Sequence, residues 1–109
     1  MPRVFAYGTL LDPVHQRRLF GRRVSPAPAV LPGWKKVRCV GRYLGIVRDR
    51  GYRTKGGVLL LTRGELAAAD RWEGVPEIYR RRRIRVESTG RGFACWVYVP
   101  APGHAGAPL

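Results

Sequence analysis

The chain has 109 residues, with 21 Lys plus Arg against 7 Asp plus Glu, a formal net charge of +14 and a sequence pI near 11.4. That length matches one ordinary domain, which removes about two-thirds of its unfolded surface from water and needs no staples. Cys39 and Cys95 lack CxxC spacing and His or Cys company, which argues against a zinc site; with no run near the ~20 apolar residues of a membrane helix and none fit for a signal peptide, a cytoplasmic protein with reduced thiols is expected.

In chain order, residues 3–7 read as a first strand that ends in a turn at Gly8. Asp12 and Pro13 supply an N-cap and a first-turn proline for a short helix over residues 14–20, which Gly21 ends. Pro26, Pro28 and Pro32 limit residues 24–33 to an edge strand or an extended connector. Residues 34–40 and 42–47 read as two strands broken at Gly41, and the polar, glycine-bearing residues 48–57 as a loop. Residues 58–61 have the apolar run of a buried strand. Thr62 and Glu65 form a capping box that opens a helix to about Trp72, ended by Glu73-Gly74. Residues 78–87 then read as a strand with Ile84 and Val86 on one face and Arg81, Arg83 and Arg85 on the other. A hairpin connection over residues 88–92 leads to a last strand, 93–99, whose two faces are both apolar, so it should lie centrally. Residues 1–99 are expected to form the domain and residues 100–109 a disordered tail. Mostly strands with two short helices make an α+β domain whose curved sheet can close into a small mixed β-barrel.

The charge has two readings. A strongly basic surface is the footprint of a polyanion binder. Against this, only Lys35, Lys36 and Lys55 are lysines while Arg, Gly, Ala and Pro abound, as a compositional bias of the genome would produce. A nucleic-acid module would also interleave aromatics with its basic residues on one face, and no such pattern is clear in the sequence.

His15 and His104 fall in a short surface helix and in the tail, which disfavours a histidine-activated nucleophile, and no metal cluster, P-loop or dinucleotide fingerprint is present. Proton chemistry is left to the carboxylates, tyrosines and arginines. The Tyr7-Gly8-Thr9-Leu10 loop follows a strand directly. Its glycine lets successive N–H groups face an oxyanion, though such a loop taken alone is more often an ordinary turn. Glu73 sits on the last turn of a helix beside Trp72, where the helix dipole and partial burial raise a carboxyl pKa and suit a general base. An arginine partner would lower it instead, and Arg80 to Arg83 bring four consecutive cations close by.

Taken together, the ordered motifs resemble the gamma-glutamylcyclotransferase-like superfamily over residues 3–99: a strand ending in Tyr7-Gly8-Thr9-Leu10, Gly57-Val58, a helix ending in Asp70-x-x-Glu73-Gly74, then Tyr79-x-Arg81 and an alternating strand. The resemblance implies a small mixed β-barrel with short flanking helices and a cofactor-free, metal-free enzyme acting on a small γ-glutamyl amine or amide. It implies that the backbone of Gly8, Thr9 and Leu10 holds the substrate carboxylate. Glu73 is then the acid/base that passes a proton from the α-amine to the leaving amine as 5-oxoproline closes. Tyr79 would line the pocket and Tyr7 support the loop from below. The alternative is a non-catalytic basic module of the same fold that binds RNA or another polyanion. The sequence carries no readable signal for oligomeric state.

Overall fold

The computed structural model describes residues 1–39 and 44–104. It contains β1 (Arg3–Ala6), a 3-10 turn (Thr9–Leu11), α1 (Pro13–Phe20), β2 (Ala27–Arg38), β3 (Leu44–Leu60), α2 (Arg63–Glu73), β4 (Tyr79–Ser88) and β5 (Arg91–Pro100). The strands close a barrel in the order β1-β3-β2-β4-β5. Every pairing is antiparallel except that of β1 with β5, which is parallel through Val4↔Trp96 and Phe5↔Val97. This is the α+β, mixed-barrel architecture expected from the sequence. Among the described residues, no helix is long and apolar enough to cross a membrane.

Two apolar layers explain why β1 and β5 are hydrophobic on both faces. Side chains alternate across a strand, so Phe5 and Tyr7 point into the barrel with Leu31, Trp34, Ile46, Val58, Val86, Cys95, Val97 and Val99. Val4 and Ala6 point outward, where they join Leu59, Leu61 and Tyr98 beneath Leu66 and Ala69 of α2. Both helices therefore cover one flank of the barrel, over β1 and β5. Cys39 and Cys95 are buried free thiols, one in each layer.

Three expectations need correction. Residues 48–57, read as a loop, belong to the 17-residue strand β3. They lie in a two-stranded ribbon with β2 whose exposed faces lack the apolar alternation that marks a half-buried strand. Gly56 and Gly57 are there for close approach: a Cβ on Gly56 would collide with the Ala6 carbonyl and the Phe5 ring, and one on Gly57 with Pro26. Secondly, residues 24–33 and 34–40 are not separate elements. β2 runs continuously through Pro28, Pro32 and Trp34, with a register shift at Gly33. Its prolines are tolerated because the other side of the strand meets β4 in a single rung, Val30↔Glu87. The break expected at Gly41 lies outside the described residues. Thirdly, the chain is structured beyond residue 99: Pro100 continues β5, and buried Ala101 donates its N–H to the Ile78 carbonyl.

The helix signals act as read. Asp12 accepts from Val14 N–H at the start of α1, and Gly21 closes it in a left-handed conformation. The capping box of Thr62 and Glu65 opens α2, and Gly74 ends it with φ 70°. One buried polar side chain then ties α1 to the first loop. Gln16, 1% exposed, donates from Nε2 to the Leu10 carbonyl at 2.8 Å and accepts from Val24 N–H at 2.8 Å. Gln16→Leu keeps the volume but strands both backbone groups, at a cost of about 1–3 kcal/mol. A lower urea midpoint with an unchanged slope is the expected result; an unchanged midpoint would show that the strut carries no stability.

Candidate active site

β1 delivers Tyr7 and Gly8 to the open end of the barrel, and the chain turns at once into the 3-10 turn Thr9–Leu11. The turn is closed by Leu11 N–H to the Gly8 carbonyl and Asp12 N–H to the Thr9 carbonyl. Its carbonyls thus face inward, and the leading N–H groups of such a turn have no partner within it. Opposite stands Glu73, on the last turn of α2. A cleft of about 30 Å³ between them is lined by Tyr7, Gly8, Thr9, Leu10, Leu44, Glu73, Tyr79 and Tyr98 together with Phe5 and Ala6. All the residues picked out in the sequence as a site therefore meet in one place. A larger groove of about 630 Å³, between β1, β3 and the β4–β5 hairpin, has arginines in its lining but no carboxylate. Of the two, only the smaller cleft has a carboxyl in its lining, that of Glu73.

Burial, followed by the negative charge of Asp70, pushes the Glu73 carboxyl from 4.5 up to about 7. The neighbouring arginines leave it so because Arg81 is engaged elsewhere. Arg81 Nε donates to Asp70 Oδ1 at 2.9 Å and its Nη2 to Oδ2 at 3.1 Å, while its guanidinium lies 4.2 Å over the Trp96 ring. Among the described residues Glu73 makes no ion pair. Asp70 also accepts from the Tyr98 hydroxyl at 2.6 Å, and Tyr7 donates its own hydroxyl to the Tyr98 carbonyl at 2.6 Å. Burial, then Tyr79 and Glu73, raises the Tyr7 pKa; burial and Asp70 raise that of Tyr98. Both phenols stay protonated and act as donors. The Tyr79 hydroxyl donates to the Leu44 carbonyl at 2.6 Å, fixing the start of β3 as a wall of the cleft.

Leu44, Asp70, Arg81 and Tyr98 were not singled out as site residues from the sequence. For Tyr98 a signal existed: it shares a β5 face with Trp96, and a polar-tipped aromatic on the face turned toward a helix seeks a partner there. Trp72, the neighbour of Glu73 in the sequence, meets the His15 ring edge-on at 5.7 Å. His104, expected in the tail, accepts on its backbone carbonyl from Cys39 Sγ at 3.1 Å.

A carboxyl whose pKa is raised on folding stabilises the fold fully below its unfolded value and loses that contribution as pH climbs through the folded value. For Glu73 the loss runs from about pH 4.5 to about 7 and amounts to no more than about 3 kcal/mol. Glu73→Gln is therefore expected to match the wild type near pH 4 and exceed its stability at pH 8, measured by urea unfolding. Carbon-detected NMR should follow the Glu73 carboxyl titrating near 7, and lower in Asp70→Asn. A Glu73 carboxyl titrating near 4.5 would contradict the assigned environment.

Residues 4–108 match the family model for gamma-glutamyl cyclotransferase, AIG2-like proteins. The chain is 34% identical over 113 aligned residues to the curated gamma-glutamylaminecyclotransferase of Bos taurus, covering 90% of this chain and 65% of that protein. It thus spans a little under two-thirds of the relative's length. A solution structure of an Arabidopsis thaliana protein superposes with a TM-score of 0.80 at 28% identity, over 93% of this chain and 69% of that one. A structure of a gamma-glutamyl cyclotransferase, 18% identical, gives 0.82 over 97% and 69%, which speaks for the fold alone. By the family model that matches nearly its whole length, the chain belongs to the gamma-glutamyl cyclotransferase, AIG2-like family.

Proposed function

We propose that this protein is a cyclotransferase that releases 5-oxoproline from a γ-glutamyl amine, with Glu73 as acid/base. The observation that carries the reading is a single carboxyl, held near neutrality at about 7, across a small cleft from the Gly8 to Leu10 backbone. In this reading the substrate's α-carboxylate lies against the backbone N–H groups of Gly8, Thr9 and Leu10. Its α-amine is thereby turned toward Glu73. The amine nitrogen attacks the γ-carbonyl carbon of the same molecule and gives a proton to Glu73. The tetrahedral centre then collapses, the bond from the γ-carbon to the leaving amine breaks, and Glu73 returns the proton to that amine. No external nucleophile, metal or redox partner enters the balance. Holding attacking and attacked atoms within one folded substrate supplies the proximity that an intermolecular reaction lacks, and a base poised near the working pH suits taking and returning one proton.

The choice of an amine as leaving group follows the name of the bovine relative. The cleft is narrow, about 30 Å³, and Leu44, whose carbonyl accepts from the Tyr79 hydroxyl, forms one of its walls. Tyr7 supports the loop through its bond to β5. The free thiols Cys39 and Cys95 support cytoplasmic placement.

The test is 5-oxoproline release from a panel of γ-glutamyl amines, γ-glutamyl amino acids and glutathione. Glu73→Gln is expected to lower kcat by about 10²–10⁴ with little change in KM. Since Glu73 must be ionised to accept the proton, wild-type kcat/KM should rise as pH passes about 7. Full turnover by Glu73→Gln would discard the mechanism, and no turnover of any panel member would discard the substrate class.

A further inference from the structure

The register between β2 and β3 pairs Pro32 with Arg53 and Trp34 with Arg48, so residues 49–52 of β3 stand opposite Gly33 alone and protrude. Beneath this protrusion lies a groove of about 560 Å³ lined by Arg48 and Arg50 of β3, Arg82, Arg83 and Arg85 of β4, and the β2 segment at Trp34. The one carboxylate in its lining, Asp49, is turned to Gly51 N–H at 3.1 Å. Among the described residues none of the five arginines forms an ion pair. Three of them lie over an aromatic ring: the guanidinium carbons of Arg48 and Arg82 are 5.5 and 5.9 Å over the Trp34 ring, and that of Arg83 is turned to Trp96, 5.4 Å over its ring. Trp34 is only 6% exposed, so it serves as a floor that orders Arg48 and Arg82. The same protrusion carries Tyr52, 47% exposed, with Lys35 Nζ 4.7 Å over its ring.

Like charges gathered without counter-charge cost stability, and each arginine held on an aromatic floor presents its N–H edge to an incoming anion. The chemistry on offer is bidentate recognition of several successive phosphates, with an exposed aromatic ring and guanidinium faces on which unpaired bases stack. A membrane surface fits less well, because the site is concave and its tryptophan is covered.

We propose that the groove between the β3 protrusion and β4 binds single-stranded nucleic acid through its phosphates, as a second site separate from the Glu73 cleft. It shares no lining residue with that cleft and stands whether or not the cyclotransferase reading holds.

The experiment is fluorescence anisotropy of a labelled, mixed-sequence single-stranded RNA of ~12 nucleotides, titrated with the full chain at several salt concentrations. Arg48→Gln/Arg82→Gln/Arg85→Gln is compared with Arg17→Gln/Arg18→Gln/Arg23→Gln, which removes the same charge from around α1. The groove variant is expected to bind at least tenfold more weakly and to lower the slope of log affinity against log salt by about 2, at ~0.7 for each phosphate that is no longer neutralised. The α1 variant should stay within about threefold. Arg50→Gln/Tyr52→Ala, confined to the exposed protrusion, gives a second reading should the triple variant not fold, with an expected loss of about tenfold. Circular dichroism monitors folding of each. Equal losses in the groove and α1 variants would overturn the proposal, as would no binding at low salt. Displacement of the RNA by tripolyphosphate at equal phosphate concentration would reassign the groove to free phosphates.

Discussion

Burial, and after it the Asp70 carboxylate, set the electrostatics of the cleft. With 21 basic residues against 7 acidic ones, an unpaired carboxyl is the least expected thing for the chain to build, because any arginine that reached Glu73 would hold it ionised and weakly basic. The structure avoids this by giving Arg81 a better partner. Asp70 offers Arg81 both carboxylate oxygens, and Trp96 packs against the guanidinium. What reaches Glu73 is then the negative charge of Asp70, which adds to burial and raises its pKa. One residue thus removes a cation and supplies an anion. Both effects depend on the spacing of three residues along α2, which puts Asp70 and Glu73 on the same side of the helix.

The same junction holds the cleft to the barrel. Asp70 belongs to α2, Arg81 to β4 and Tyr98 to β5, so their hydrogen bonds fasten the helix that carries Glu73 to two strands. From Tyr98 the connection continues through the Tyr7 hydroxyl to the loop after β1. Gln16 secures that loop from the other side, at Leu10. Glu73 and the Gly8 to Leu10 backbone are therefore positioned by one connected set of buried and part-buried hydrogen bonds. A change in any of these residues is expected to move the geometry as well as the charge.

Much of this was legible in the sequence where local chemistry decides the outcome. Asp12, Gly21, Thr62, Glu65 and Gly74 mark both helices because caps act within a few residues. The two apolar faces of residues 93–99 foretold a strand paired on both sides, as β5 is with β1 and β4. The Tyr7 to Leu10 loop, Glu73 and Tyr79 could be named together only through the ordered motif set, since each alone is common. Long-range partnership was not legible. Asp70 and Tyr98 are 28 residues apart, and nothing local to either announces the other. The length of β3 was hidden for another reason. Residues 48–57 sit in a ribbon largely exposed on both faces, so neither face imposes an apolar period and the glycines read as turn signals.

The basic composition takes on structure once the ion pairs are placed. Had the arginines been spread by genome composition alone, the few acids would be expected to neutralise them wherever they crowd. Instead Glu65 pairs with Arg22, Asp70 with Arg81 and Glu87 with Arg53, all outside the lining of the β3–β4 groove. Within that lining the repulsion between the Arg48 and Arg82 guanidiniums goes uncompensated by any ion pair among the described residues. It is offset in part by the Trp34 ring beneath Arg48 and Arg82, where a cation–π contact contributes about 0.5–2 kcal/mol. A buried tryptophan placed to hold two like charges together lowers the cost of keeping them ready for an anion. The chain thus handles positive charge in opposite ways at two places, drawing it away from Glu73 with a carboxylate and concentrating it over Trp34 with a ring.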